Sequence, residues 1–343
     1  MIRLLLAAGM ALLVSIVGTR LLIGWLTRHQ IGQPIHEDVP EGHTVKSGTP
    51  TMGGIAVVSA ALIGYVVSDL YHGIYTRTGI LVMLAIAGAG GVGLLDDWIK
   101  VSSERNLGLT KSSKVLGILA VGLGFAVLMN AWTDVHTTLS FTRWNSPGLA
   151  LGHVAWTILA VLLILATTNA VNLTDGLDGL AAGSAVLCFA AFVVIGFWAF
   201  RHPGVYDVPH ALDLGVVAAA MLGACTGFLW WNAAPARIFM GDTGSLAIGA
   251  GLAALALATN TILLLPIVGG LFVMETISVI LQVGSYRMFG RRVLRMAPIH
   301  HHFELGGWPE TTVIVRFWIL SGLCTALGLG LYYADFVTTG VTD

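Results

Sequence analysis

The sequence predicts an all-α, polytopic integral membrane protein of about ten transmembrane helices, and three observations carry that prediction. The 343 residues are 56% hydrophobic and only 10% charged, with mean hydropathy +0.85, too little polar surface for a soluble domain of this size. The apolar residues fall into ten runs, most of them close to the ~20 residues a helix needs to cross a bilayer. The ionisable residues gather in the short segments between those runs. No internal repeat, low-complexity tract or soluble domain interrupts the pattern, so residues 1–343 are read as a single transmembrane domain.

The first run, 2–26, has the position of a signal peptide, but Arg20 interrupts it and no small-residue cleavage site follows, so it is read as a retained span. Runs 53–70 and 77–95 come next. The third carries AGAGGVG at 87–93, small residues that let neighbouring backbones approach closely. No strand precedes these glycines, which argues against a nucleotide fingerprint. Runs 114–132, 150–169, 180–200 and 212–231 are continuous. Only Asn260 and Thr261 separate 244–259 from 261–284, and Glu275 inside the latter predicts a bend or break. The last run is 313–334.

Parity then assigns sides. Two runs separate Lys46 from Asp96, and two more separate Asp97 from Asp175, Asp178 from Asp242, and Asp242 from His300. All these groups therefore face one side. Its loops hold eleven Lys and Arg (28, 46, 100, 105, 111, 114, 237, 287, 291, 292 and 295) against four opposite (3, 77, 143 and 201). The positive-inside rule makes the richer side cytoplasmic and leaves both termini extracytoplasmic. A net charge of −1 with no basic stripe excludes nucleic acid as a partner. Cys188, Cys225 and Cys324 all lie in apolar runs and suggest neither a disulfide framework nor a zinc site.

The cytoplasmic side carries the motifs. Carboxylates at membrane boundaries are costly and default to a functional reading, and five occur at three span ends: Asp96-Asp97, Asp175 with Asp178, and Asp242. Adjacent carboxylates repel, so the Asp96-Asp97 pair wants a cation; the plainer reading is a solvated helix end with Lys100 pairing at i,i+4. Asn169, Asn172, Asp175 and Asp178 recur every three residues and form one polar stripe, with Gly176 and Gly179 allowing close approach of a ligand. Capping of the next helix would explain one of these four. Asp242 is placed in a small-residue turn, FMGDTGS, ahead of the next span; alone it reads equally well as a cap. Phe239 is either a belt aromatic or a platform for a planar ring. The His300-His301-His302 loop follows a basic run, Arg287–Arg295, and consecutive side chains diverge too much for a zinc site. Hydrogen bonding to phosphate or sugar suits it better. KSGTPTMGG, from Lys46 to Gly54, offers a lysine and hydroxyls to an anionic or uracil-like ligand. Together these describe one site suited to metal-assisted transfer between phosphates, for which magnesium needs only one or two protein carboxylates.

KSGTPTMGG, LLDDWIK, NAVNLTDGLDGLAAG, FMGDTGSLAIG and MAPIHHHFE, in this order, resemble the phospho-N-acetylmuramoyl-pentapeptide transferases of bacterial cell-wall synthesis, from about residue 20 to the last span. The resemblance implies a ten-span homodimer in the bacterial inner membrane with its active-site loops in the cytoplasm. It implies the joining of UDP-MurNAc-pentapeptide to undecaprenyl phosphate in the lipid bilayer, giving lipid I and UMP with Mg2+. Residue by residue, Asp242 corresponds to the metal ligand, and Asp96 and Asp97 to the catalytic pair, the first as base toward the lipid phosphate. Lys46, Asp178 and Phe239 correspond to the uracil pocket. Thr51, Asn172, Asp175, Asn232 and His301 correspond to the rest of the nucleotide site, and His300 to His302 to a catalytic and sugar-proximal motif. Lys100, Lys111 or Lys114 would neutralise charge on phosphate oxygens. His36 departs from the family, which more often has arginine there. Three other readings remain: a sister enzyme transferring N-acetylglucosamine-1-phosphate, a transporter with mid-membrane acids, and a membrane scaffold.

Overall fold

The computed structural model describes residues 1–29, 48–70, 75–102 and 108–340. Lys46 and His36 lie outside these residues. Each of the ten predicted runs contains a helix: α1 Ile2–Arg28, α2 Gly54–Leu70, α3 Arg77–Ser102, α4 Lys111–Trp132, α5 Gly152–Thr174, α6 Leu180–Arg201, α8 Ala211–Asn232, α9 Gly241–Ala258, α11 Gly270–Phe289 and α13 Glu310–Gly340. Three short helices join them: α7 Pro203–Tyr206, α10 Leu265–Val268 and α12 Ile299–Glu304. Among the described residues, eight of these helices are long and apolar enough to cross a membrane; α2 and α11 are the two outside that set. Large apolar side chains face outward, among them Leu5, Leu13, Leu84, Leu123, Leu162 and Leu323, each more than half exposed. A hydrocarbon solvent suits such a surface, and water does not.

Three expectations need correction. The chain is not wholly α: an antiparallel hairpin, β1 Thr138–Arg143 and β2 Ser146–Ala150, links α4 to α5. The break in 261–284 falls at Gly269, between α10 and α11, and the helix runs unbroken through Glu275. Finally, Asp242 lies within the first turn of α9 and not in a loop before it. Cys188, Cys225 and Cys324 are free.

The centre of the fold is α9. Nearly every residue along it is buried, and it packs against α2, α3, α5, α6 and α8. Lipid offers no hydrophobic drive for helix association, so close backbone contact through small residues has to supply it. Gly93 shows how: a Cβ there would collide with the Asp242 carbonyl. The small residues of 87–93 thus let α3 lie directly along α9, which brings the end of one helix to the start of the other.

Candidate active site

Helix α9 has no side-chain cap of its own, since its N-cap position is Met240. Its first amides would be left without partners. Asp97, near the end of α3, supplies them: its carboxylate accepts from Asp242 N at 3.1 Å, from Thr243 N at 3.0 Å and from Thr243 Oγ1 at 2.7 Å. The cap is thus delivered from another helix, and it locks α3 to α9 at the level of Asp242. That carboxylate also gains from the positive end of the helix dipole.

Asp96, one residue earlier on α3, faces the other way. Its Oδ1 accepts from Leu109 N at 2.9 Å, and its Oδ2 lies 2.6 Å from Lys100 Nζ. The i,i+4 pair read from the sequence therefore forms, and it is not a solvated helix end, because Asp96 is buried. Lys100 also donates to Asp242 Oδ2 at 2.8 Å, joined there by Lys114 Nζ. Asn172, near the end of α5, donates to Asp242 Oδ1 and to Ser245 Oγ. Oxygens of Asp96, Asp97 and Asp242 lie within 4.8 Å of one another. Three carboxylates against two ammonium groups leave one negative charge in excess. An all-oxygen donor set with surplus charge, reached by lysines rather than closed by arginines, fits Mg2+.

Lysine placement departs from expectation. Thr110 caps α4, accepting from Ser113 N at 3.1 Å. This sets the helix phase so that Lys114 reaches inward while Lys111 is exposed. The sequence leaves Lys100, Lys111 and Lys114 as alternatives, and the cap at Thr110 is the signal that favours Lys114 over Lys111.

The polar stripe divides. Asn169 is exposed and bonds back to Leu165 O. Asp175 ends α5, and burial, aided by the charges of Asp242, Asp97 and Asp178, pushes its carboxyl well above the usual carboxylate range. Asp178 does not cap α6: its Oδ2 accepts from Ala236 N at 2.9 Å, toward the 233–239 loop. Asn232 braces the same loop, its Nδ2 donating to Ile238 O at 2.9 Å. Phe239 N donates to Pro50 O at 2.8 Å, and Gly53 N to Phe239 O at 2.9 Å. The segment holding the buried Thr51 therefore lies beside Phe239.

The three histidines sit on a helix, α12, and not in a loop, and helical phase sends them to different partners. His300 is fully buried beside Glu275, His301 Nδ1 is 2.7 Å from Glu304 Oε2, and His302 Nδ1 accepts from Arg295 N at 3.0 Å. His300 lies nearest the Asp175–Asp178 turn, its Nε2 within clashing distance of where a Gly176 Cβ would stand, with His301 Nε2 beside it at 3.5 Å.

The comparisons fit this arrangement. A family model described as "Glycosyl transferase family 4" matches residues 79–260, more than half of the chain, and defines the class as that of phospho-sugar transferases. A "Phospho-N-acetylmuramoyl-pentapeptide-transferase signature 1" matches residues 46–58. The phospho-N-acetylmuramoyl-pentapeptide-transferase of Frankia alni is 50% identical over 351 residues, covering 98% of each chain. That of Streptomyces griseus is 50% identical over 353 residues, with 97% of this chain and 98% of the relative covered. That of Thermobifida fusca is 49% identical over 348 residues, covering 96% and 98%. The chain belongs to the phospho-N-acetylmuramoyl-pentapeptide-transferase family.

Proposed function

We propose that the protein transfers phospho-N-acetylmuramoyl-pentapeptide from UDP-MurNAc-pentapeptide to undecaprenyl phosphate, giving lipid I and UMP. The carrying observation is full-length kinship at about half identity, joined to a buried cluster of carboxylates and lysines suited to a diphosphate. A phosphate oxygen of the lipid carrier attacks the β-phosphorus, the bond to UMP breaks, and UMP leaves. Asp96 accepts the proton of the lipid phosphate. Lys100 and Lys114 offset charge building on the phosphate oxygens, where fixed cations are most effective. Asp242 would hold magnesium, which would supply further neutralisation of that charge. Asp97 acts by holding the start of α9, since its oxygens are taken by amides and a hydroxyl. Phe239, Thr51, Asp178 and Asn232, with Lys46, form the uracil pocket and its rim, while Asp175 and His300–His302 face the sugar.

The ten helices cross the inner membrane with both termini extracytoplasmic and the site cytoplasmic, as the distribution of Lys and Arg supports. The homodimer belongs to the same proposal and is checked by the mass of the purified protein in nanodiscs. The assay is UMP release by the solubilised enzyme, with UDP-MurNAc-pentapeptide or UDP-N-acetylglucosamine, and with undecaprenyl phosphate present or omitted. Release is expected only with the muramoyl nucleotide and the lipid together. Comparable release from both nucleotides would assign the sister reaction instead.

A further inference from the structure

Glu275 is the one acid placed well inside an apolar run, and it is fully buried. The residue facing it is His300, also fully buried, with Nδ1 3.1 Å from Glu275 Oε2. The approach is close but not aligned as a hydrogen bond, and neither Glu275 oxygen and neither His300 nitrogen makes an aligned hydrogen bond to any group. Buried polar atoms left this way are uncommon and costly. The ring's far edge lies against the Asp175–Asp178 turn. A Cβ on Gly176 would collide with His300 Nε2 and Cε1, although Gly176 itself is exposed. A residue with no side chain thus separates a buried, unpartnered nitrogen from the exposed face of the turn, with His301 Nε2 next to it.

We propose that Glu275 is a positioning residue: its carboxylate holds the Nδ1 proton of His300, so that Nε2 is presented through the Gly176 turn as an acceptor for hydroxyl or amide N–H donors of the substrate's N-acetylhexosamine. The two ring nitrogens are chemically distinct, and the partner of one decides what the other can do. A carboxylate behind the ring fixes both tautomer and orientation. Helix α11 supplies the rigid support, because Glu275 lies in its interior, where the backbone is hydrogen-bonded throughout. This inference rests on the transferase reading for the identity of the sugar, and on geometry alone for the pair.

The test uses the full-length protein in nanodiscs with 15N-labelled histidine, the His300 resonances being assigned by their loss in His300→Asn. At about pH 8, where an unperturbed imidazole is neutral, His300 is expected as the Nδ1–H tautomer, and in Glu275→Gln as the Nε2–H tautomer. Turnover with the sugar nucleotide should fall about 10–100-fold in Glu275→Gln, the size usual for groups that orient a functional imidazole. Affinity for UDP, which lacks the sugar, should stay within about twofold. Glu275→Asp, which keeps the carboxylate, should restore the Nδ1–H signal and part of the rate. His300 found as Nε2–H in the wild-type protein would overturn the pairing, whatever sugar nucleotide the enzyme uses. An equal loss of UDP affinity in Glu275→Gln would overturn the sugar-directed role and make Glu275 a structural group.

Discussion

Two buried ion-pair clusters sit at opposite ends of α3, and they are built differently. Near its start, Asp213 of α8 receives Arg3 on Oδ1, and Tyr65 and Thr76 on Oδ2 at 2.9 and 2.6 Å. Among the described residues the Arg3 guanidinium meets the Asp213 carboxylate, both carboxylate oxygens are satisfied, and Asp213 is 1% exposed. Near its end, three carboxylates face two lysines whose side chains remain 33% and 25% exposed. The first cluster is closed and ties α1, α2, α3 and α8 together. The second is open, with surplus negative charge and part-exposed lysines. An intramembrane carboxylate defaults to a functional reading; these two clusters differ in their partner sets more than in their burial.

The comparison is broken most directly at the open end. Asp242→Asn removes one of the three carboxylates, the one bonded to both lysines, in a site where fixed charge stabilises the reaction most. Turnover should fall by about 10³-fold, as when one essential electrostatic group is lost elsewhere, while the thermal midpoint in detergent barely moves. UMP release above about a tenth of wild type would remove Asp242 from the chemistry.

At the closed end the expected loss is in stability instead. Asp213→Ala removes the buried carboxylate that receives Arg3, Tyr65 and Thr76, which costs about 3 kcal/mol. The fraction that stays folded should turn over normally, and an Arg3→Met/Asp213→Leu double variant should regain most of the stability. If Asp213→Ala instead lowered turnover with no change in midpoint, the two ends would not be distinct in kind.

Within the open end, the lysines sharpen the contrast further. Lys114→Met should cost about 10–100-fold in turnover, since it removes a cation bonded to Asp242. Lys111→Met should stay within about threefold, because an exposed side chain is screened by water and salt. Equal losses in both variants would return Lys111 to the site.

How much of this was legible in the sequence follows from how local each signal is. The ten helices were, because runs of about twenty apolar residues leave little alternative. So was the gathering of Asp96, Asp97, Asn172, Asp175, Asp178 and Asp242 at one end, because parity needs no contacts. The closed cluster was not: Asp213 is a single acid at the start of an apolar run, and its partner Arg3 lies 210 positions away. The start of α9 was misjudged for the same reason, since FMGDTGS looks like a turn until Asp97 arrives from another helix as its cap. Glu275 suggested a kink because an acid in lipid is unfavourable. His300, which makes it tolerable, is 25 positions further on, in a segment whose helical phase the sequence does not declare.

The smallest expected effect separates Asp175 from its neighbours by pH. Burial and the charges of Asp242, Asp97 and Asp178 raise its carboxyl well above the ordinary value of 3.8, so the folded protein binds this proton more tightly than the unfolded chain. The sign follows: the stabilisation is fully present below the ordinary value and is lost as pH rises through the raised one. Across that interval wild-type stability should decline by at most about 1.4 kcal/mol per pH unit from this group, and Asp175→Asn should remove that part of the slope. Magnesium bound at Asp242 would weaken the repulsion that Asp175 feels and make the wild-type slope shallower. Thermal unfolding between about pH 5 and pH 8 at fixed ionic strength, with and without Mg2+, measures both effects. Parallel slopes for wild type and Asp175→Asn would mean that Asp175 keeps an ordinary carboxylate and belongs, like the closed cluster, to the architecture.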